Sequence, residues 1–234
     1  MNKNLGRGFG AASIATEVES ALSSLPNNHN TNIVVFDIGA NIGNYSEALI
    51  ESGQVKEIFC FEPSIEATKF LKKRFLTFPQ VHIVNVAIGK EENTTTLYTD
   101  AEASGLASLT KRRLDHFGID FSKSEIVTMK TLGTLIDELG VTPDFIKIDV
   151  EGHELDVLTG GRDILSSIKL IQFEFGGANI DTRTYFQDFW YFFQENGFEL
   201  LRITPAGVKL IDCYTEEDEY FKTTNYLARN SRYR

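Results

Sequence analysis

The chain reads as an α/β domain built on a mostly parallel sheet with helices on both faces. Three observations predict this. From residue 32 to residue 197, short β-prone runs alternate with helix-length segments. Those runs are apolar almost throughout, as strands covered on both faces require. The 234 residues, 42% of them hydrophobic, suffice for one substantial core, so one main domain is expected.

The elements follow in order. Residues 1–30 show weak periodicity and are read as an N-terminal extension: a short helix near 14–25, then the turn-rich linker "PNNHNTN", which carries His29. The main domain occupies 31–234. "NIVVFDI" (32–38) is its first strand, and "NYSEALIESG" (44–53) a helix closed by Gly53. "EIFCFE" (57–62) is the second strand, with Cys60 as a small hydrophobe. In "SIEATKFLKKRF" (64–75) Ser64 is placed to cap a helix whose Phe70, Leu71 and Phe75 recur at helical spacing. "VHIVNVAI" (81–88) reads as one third strand.

Residues 93–130 break this rhythm. Two short strands, "TTTLYT" and "EIVTMKT", flank a long polar stretch, the kind of connection that is often functional. It is read as a substrate-side insertion. The alternation then resumes with a helix (131–140), the strand "DFIKIDV" (144–150) and the helix "HELDVLTGGRDIL" (153–165), interrupted near Gly160–Gly161. The strand "KLIQFEF" (169–175) and a strongly aromatic helix (183–197) follow. Core packing is expected for most of its rings, with Tyr185 or Trp190 available to stack on a sugar. "FELLRIT", "GVKLIDC" and "TNYLAR" close the sheet as antiparallel strands.

Composition narrows the partners. With 23 basic against 33 acidic residues the net charge is -10, which argues against a nucleic-acid backbone as ligand. The densest basic run, Lys111–Arg113, reads as a solvated face. Cys60 and Cys213 form neither a disulfide framework nor a metal spacing, which fits a reducing cytoplasm. The N-terminus lacks the apolar core of a secretory signal, and no run is long enough for a membrane span.

In such sheets ligands bind beyond the carboxyl ends of the strands. That rule selects Asp37–Gly43, Glu62–Pro63, Asn85–Gly89, Asp149–His153 and Glu174–Gly177. The loop "DIGANIG" (37–43) joins a strand to a helix, and its glycines let backbone N–H groups approach a ligand closely. It fails the dinucleotide fingerprint, because positions 41 and 44 are asparagine where glycine is needed. An NAD-dependent oxidoreductase is thereby disfavoured. Asp37 would repel phosphate, yet can accept hydrogen bonds from an ammonium group. Glu62, closing the second strand, can accept both hydroxyls of a ribose. A nucleoside that also carries an amino acid satisfies both, and S-adenosylmethionine is such a compound.

The stretches "VVFDIGANIGNYS", "CFEPS", "VNVAIG" and "FIKIDVEGHELDVLTGG", and more loosely "IQFEF", resemble the FkbM family of S-adenosylmethionine-dependent methyltransferases. The resemblance covers roughly 32–177. It implies a Rossmann-like class I methyltransferase fold with seven strands and an antiparallel last strand. It places Asp37, Gly39, Asn41 and Gly43, with the flanking Ala40 and Tyr45, around the methionine portion. Glu62 and Pro63 fall to the ribose, and Asn85 to Ala87 to the adenine.

Transfer of a methyl group from a sulfonium to a hydroxyl needs alignment, exclusion of water and a base. Asp149, Glu151, His153 and Glu174 sit where an acceptor would meet the methyl group. His153 has a suitable ordinary pKa. Glu151 and Glu154 could instead serve the following helix, as dipole partner and capping residue. Glu174 ends an apolar strand and should face the cleft or a cation. Asp149, Glu151 and Glu174 could also supply oxygens to Mg²⁺, but no spacing rule establishes this and no metal is assigned. His82 and His116 are weaker candidates. The expected activity is O-methylation of a sugar, glycan or other small molecule. The rival is a nucleoside-binding accessory module without catalysis. Homo-oligomerisation stays open.

Overall fold

The apolar runs assemble into one eight-stranded sheet and a smaller three-stranded sheet in the structure, a computed structural model that describes residues 13–26 and 32–233. His29 and most of the linker lie outside the described residues. The main sheet contains β1 (Ile33–Ile38), β2 (Val55–Phe61), β3 (Val81–Val84), β7 (Phe145–Ile148), β8 (Leu170–Phe175), β9 (Phe198–Thr204), β10 (Gly207–Leu210) and β11 (Thr224–Asn230). Their order is β10-β9-β11-β8-β7-β1-β2-β3. The five strands from β3 to β8 in that order are mutually parallel, and β11 is antiparallel to both its neighbours. The sheet has eight strands, one more than the resemblance implies, because Gly207–Leu210 turns back on β9 as an extra edge strand.

The third predicted strand splits in two. Val81–Val84 stays in the main sheet, whereas β4 (Ala87–Gly89) joins β5 (Asn93–Thr99) and β6 (Lys123–Thr131) in the order β4-β6-β5. Asn85 marks the break: its side-chain amide donates to the carbonyls of Glu62 and Pro63 at 2.8 and 2.9 Å. β5 and β6 are the two strands expected to flank the polar stretch, β6 starting at Lys123.

Strand parity decides what each face buries. Side chains alternate between faces, so Phe36 and Ile38 of β1 enter one core cluster and Ile33 and Val35 the other. The first cluster packs under α4 (Leu132–Leu139), α5 (Glu154–Gly160) and α7 (Phe186–Glu195), through Leu135, Val157 and the ring stack of Phe173 on Phe189. α6 (Ala178–Thr182) is a separate short helix, so the aromatic segment is broken before Phe186. The second cluster packs under α1 (Ile14–Ser24), α2 (Asn44–Glu51) and α3 (Ile65–Arg74), through Val18, Leu22, Leu49 and Leu71. α1 is thus part of the core. Ser13 caps it with a reciprocal bond to Thr16, and its apolar side is buried. Among the described residues no helix is long and apolar enough to cross a membrane.

Candidate functional site

The same parity builds the site. Asp37 follows Val35 at a spacing of two and so faces the α1–α2 side. Its neighbours across the sheet are Cys60 on β2 and Lys147 on β7, and Lys147 is in turn opposite Gln172 on β8. These four side chains form one buried polar row. Two residues further along each strand, at the carboxyl edge, stand Glu62, Gly39, Asp149 and Glu174, with Asn225 of β11 opposite Glu174. This second row is the floor of a cavity of about 530 Å³.

The lower row is held by ion pairs. Lys147 Nζ lies 3.5 Å from Asp37 Oδ1 and 3.3 Å from Asp149 Oδ2, and it donates to the Gly39 carbonyl at 3.3 Å. Burial pulls the Lys147 pKa down, but Asp149 and Asp37 outweigh it and hold the ammonium well above the ordinary lysine value. Ser46 Oγ donates to the other Asp37 oxygen at 2.6 Å. Asp37 is fully buried and does not line the cavity. Its expected contact with a ligand ammonium is replaced by Lys147, which sequence reasoning missed. The signal was there: Lys147 and Gln172 are polar residues inside apolar strands.

At the β1–β2 end the walls are largely backbone. Gly39, Ala40, Asn41 and Tyr45 line the cavity, as do Glu62, Pro63 and Ala87. Gly39 has φ +78°, and a Cβ there would stand 1.8 Å from the Asp149 carbonyl oxygen. The loop closes this tightly only because position 39 has no side chain. Glu62 is 6% exposed; it accepts from the N–H of Asn41 at 2.8 Å and of Ser64 at 2.9 Å. Burial pushes its carboxyl up to about 7, against the pull of those two N–H groups. Each oxygen keeps an acceptor position. Asn41 Oδ1 is buried without a hydrogen-bond partner among the described residues.

Two further expected residues lie off the cavity. Gly43 (φ +88°) abuts α3, where a Cβ would meet the Phe75 ring at 2.5 Å, so its smallness serves packing. Asn85 spends its amide on the turn after β2, leaving Val86 and Ala87 as that part of the wall.

At the β7–β8 end the walls are carboxylates. Asp149, Glu151 and Glu174 line the cavity. Glu151, in the left-handed region at φ +53°, pairs with Arg112 at 2.5 Å, and Arg112 also reaches Asp181 at 3.2 Å. Burial and Asp149 push the Glu151 pKa upward while Arg112 opposes them. The middle residue of "KRR" is therefore a buried partner, although Lys111 and Arg113 are solvated as expected. Burial, Asp149, Glu151 and Glu154 raise Glu174 well above the ordinary carboxyl value, Lys147 pulling the other way. Glu154 accepts from the N–H groups of Val150 and Gly152 at 3.0 and 3.1 Å and so shapes this loop.

His153 does not line the cavity. Its Nδ1 is 2.8 Å from Asp156 on α5 and its Nε2 3.0 Å from Thr110, so both ring nitrogens are engaged and the second ties down the insertion. Ser108 Oγ adds a bond to the Glu151 carbonyl at 2.8 Å, and Ser104, Gly105 and Ala107 form part of the wall. His82 stacks on Phe59, and His116 lies against Phe117. Tyr185 and Trp190 are absent from the wall. Glu17 of α1 was not expected: it lines the cavity and accepts from Asn225 Nδ2 at 3.0 Å and Gln172 Nε2 at 3.4 Å. Gln172 in turn accepts from the Tyr45 hydroxyl at 2.6 Å.

Among the described residues five acidic side chains and one ammonium line the cavity, so it suits a cationic ligand group better than a phosphate. Among the described residues no three His, Cys, Asp or Glu side chains are arranged to hold a metal ion.

Known proteins place this architecture. Residues 37–200 match the model of the methyltransferase FkbM domain. A curated relative, the 2-O-methyltransferase NoeI of Sinorhizobium fredii (strain NBRC 101917 / NGR234), is 24% identical over 157 residues. That alignment spans 63% of this chain and 65% of the relative, slightly under two thirds of its length. Among solved structures, the FkbM methyltransferase of Methylobacillus flagellatus KT is similar with a TM-score of 0.50 at 17% identity, over 88% of this chain and 47% of that one. SMU.1697c of Streptococcus mutans, assigned to the methyltransferases and solved in complex with SAH, has a TM-score of 0.51 at 10% identity, over 92% of this chain and 96% of that one. Likeness at such identities establishes the class I methyltransferase fold, and the match to the family model goes further. The chain belongs to the FkbM family of methyltransferases.

Proposed function

We propose that this methyltransferase uses S-adenosylmethionine to methylate a hydroxyl of a sugar, glycan or similar small molecule. The observation that carries the reading is the row of side chains at the carboxyl edge. It joins a backbone-walled, ribose-competent end at Glu62 to a carboxylate-rich end at Asp149 and Glu174 within one cavity. The relative named as a 2-O-methyltransferase and the fold neighbour solved with SAH support it.

The residues present fit the donor. Glu62 has acceptor positions left for ribose hydroxyls, and the unpartnered Asn41 Oδ1 can take a hydrogen bond from the donor's amino group. Ala87 offers an apolar edge to a base, and the surplus of carboxylates offsets the sulfonium and ammonium charges. When bound, the donor supplies an electrophilic methyl group. The chain aligns an acceptor oxygen with it and keeps water out. Asp149, fixed by Lys147, accepts a hydrogen bond from a neighbouring hydroxyl of the acceptor, and Glu174, its carboxyl raised by burial and by Asp149, Glu151 and Glu154, faces the same end.

Calorimetry with S-adenosylmethionine, together with a labelled-methyl assay over neutral glycosides, tests this reading. Binding and transfer are expected. Binding without transfer to any hydroxyl compound would favour an accessory role, and absence of binding would end the proposal.

A further inference from the structure

The reaction proposed above needs a group to take the hydroxyl proton, and the geometry points to Glu17 of α1 as that group: a side chain outside the family-defining residues that touches the acceptor. This assignment rests on the O-methyltransferase reading.

The other four acidic side chains of the cavity differ from Glu17 in partners or place. Both oxygens of Glu62 receive main-chain N–H groups. Asp149 is ion-paired with Lys147 and Glu151 with Arg112, so each already faces a cation. Burial and the neighbouring Asp149, Glu151 and Glu154 raise Glu174 well above the ordinary carboxyl value, and among the described residues no hydrogen bond positions its side chain. Glu17 stands apart: like Glu62 it accepts from neutral donors only, but it lies at the opposite end of the cavity. It is positioned by two neutral amides, Asn225 and Gln172, and no cation lies within ion-pair distance of it among the described residues. Neutral donors fix a carboxylate without cancelling its charge, and two of its four acceptor positions are used.

Its place in the cavity agrees. Asn225 is opposite Glu174 in the sheet register, so Glu17 overhangs the β7–β8–β11 end, away from Glu62 and the β1–β2 loop. Among the described residues the charged groups that face it are Lys147 and Asp149, from β7 and its carboxyl end, with the Tyr45 hydroxyl from α2; Glu174 lines the same end. Burial and Asp149 raise the Glu17 pKa to about 7, against the pull of Lys147 and the two amides. A general base works best near the ambient pH.

In the step itself the acceptor oxygen bonds the methyl carbon, the carbon–sulfur pair stays on sulfur, and the hydroxyl proton passes to Glu17. A sulfonium, an alcohol and a carboxylate become a thioether, a methyl ether and a carboxylic acid. The proton leaves Glu17 for solvent afterwards.

The test compares wild type, Glu17→Gln and Glu17→Asp, with S-adenosylmethionine and a panel of neutral methyl glycosides, between about pH 5 and pH 9. Wild-type kcat is expected to rise through about pH 7 and level off. Glu17→Gln should lower kcat on the order of 100-fold and abolish that limb, with donor affinity changed less than about threefold; Glu17→Asp should restore part of the rate. Carbon-13 NMR of labelled glutamate should show carboxyls titrating near 7, one of which Glu17→Gln removes and Glu62→Gln does not. An intact pH limb in Glu17→Gln, or a fall in kcat matched by loss of donor affinity in both variants, would overturn the assignment and leave α1 a structural wall. If wild type binds the donor but methylates no glycoside, the hydroxyl-acceptor reading falls and takes this proposal with it. If wild type turns over and only the variants disagree, Glu17 alone is wrong.

Discussion

The two ends of the cavity are built in different ways. At the β1–β2 end, contacts come from backbone and from one carboxylate clamped by main-chain N–H groups. At the β7–β8 end they come from side chains drawn from α1, β7, β8, β11 and the insertion, held by ion pairs with Lys147 and Arg112. Backbone geometry written by a short glycine-bearing loop is local. A charge network is distributed, because each member depends on a partner far away in the chain. The first end suits a ligand common to a family, and the second can vary with the acceptor.

Four predictions probe this contrast, from the largest expected effect downward. Lys147→Met should break the distributed end first: it leaves Asp37 buried and charged, at a cost of about 3–5 kcal/mol. Chemical denaturation reads the loss; a change under 1 kcal/mol would show that the lysine charge is dispensable. Gly39→Ala attacks the local end. A left-handed alanine whose Cβ meets a carbonyl at 1.8 Å should cost about 2–4 kcal/mol, with much weaker donor binding. A wild-type melting temperature would contradict the close approach.

Glu62→Ala is expected to reduce S-adenosylmethionine affinity by about 1–3 kcal/mol in calorimetry. Unaltered affinity would remove Glu62 from the ribose. The smallest effect joins both ends. Glu17 and Glu62 have pKa values raised from 4.5 to about 7 in the folded chain. A raised folded pKa means that the protonated form stabilises, fully below about 4.5 and progressively less as pH rises through about 7. The unliganded chain should therefore lose about 1–2 kcal/mol between those limits once screening is allowed for. Thermal melts across that range check it, and Glu62→Gln should flatten the slope.

The local end was the legible one. "DIGANIG" announced a strand, a turn and a helix, and Glu62 stood at the matching end of the next strand. Even there, composition could not separate glycines that face the cavity from Gly43, which makes room for Phe75. Nor could it tell that Asn85 would break a strand by binding the preceding turn. At the distributed end, Asp149, Glu151 and Glu174 were readable from strand ends, but their partners were not. Arg112 looked like one of three solvated basic residues, and His153 looked free until Thr110 and Asp156 occupied it. Lys147 and Gln172 carried a readable signal in their parity with Asp37. Glu17 carried none, since its position depends on how α1 docks against α2 and the sheet.

Strand parity also sets which length changes the fold can absorb. Deleting one residue within β1 would send Asp37 toward the phenylalanine cluster on the opposite face and strand the ammonium of Lys147. Insertions among residues 100–107, between the small sheet and the anchors at Ser108, Thr110 and Arg112, would alter only the wall they form. Diversification by indel thus has one permissive route, through the wall over the cavity, while the strands beneath it must keep their count.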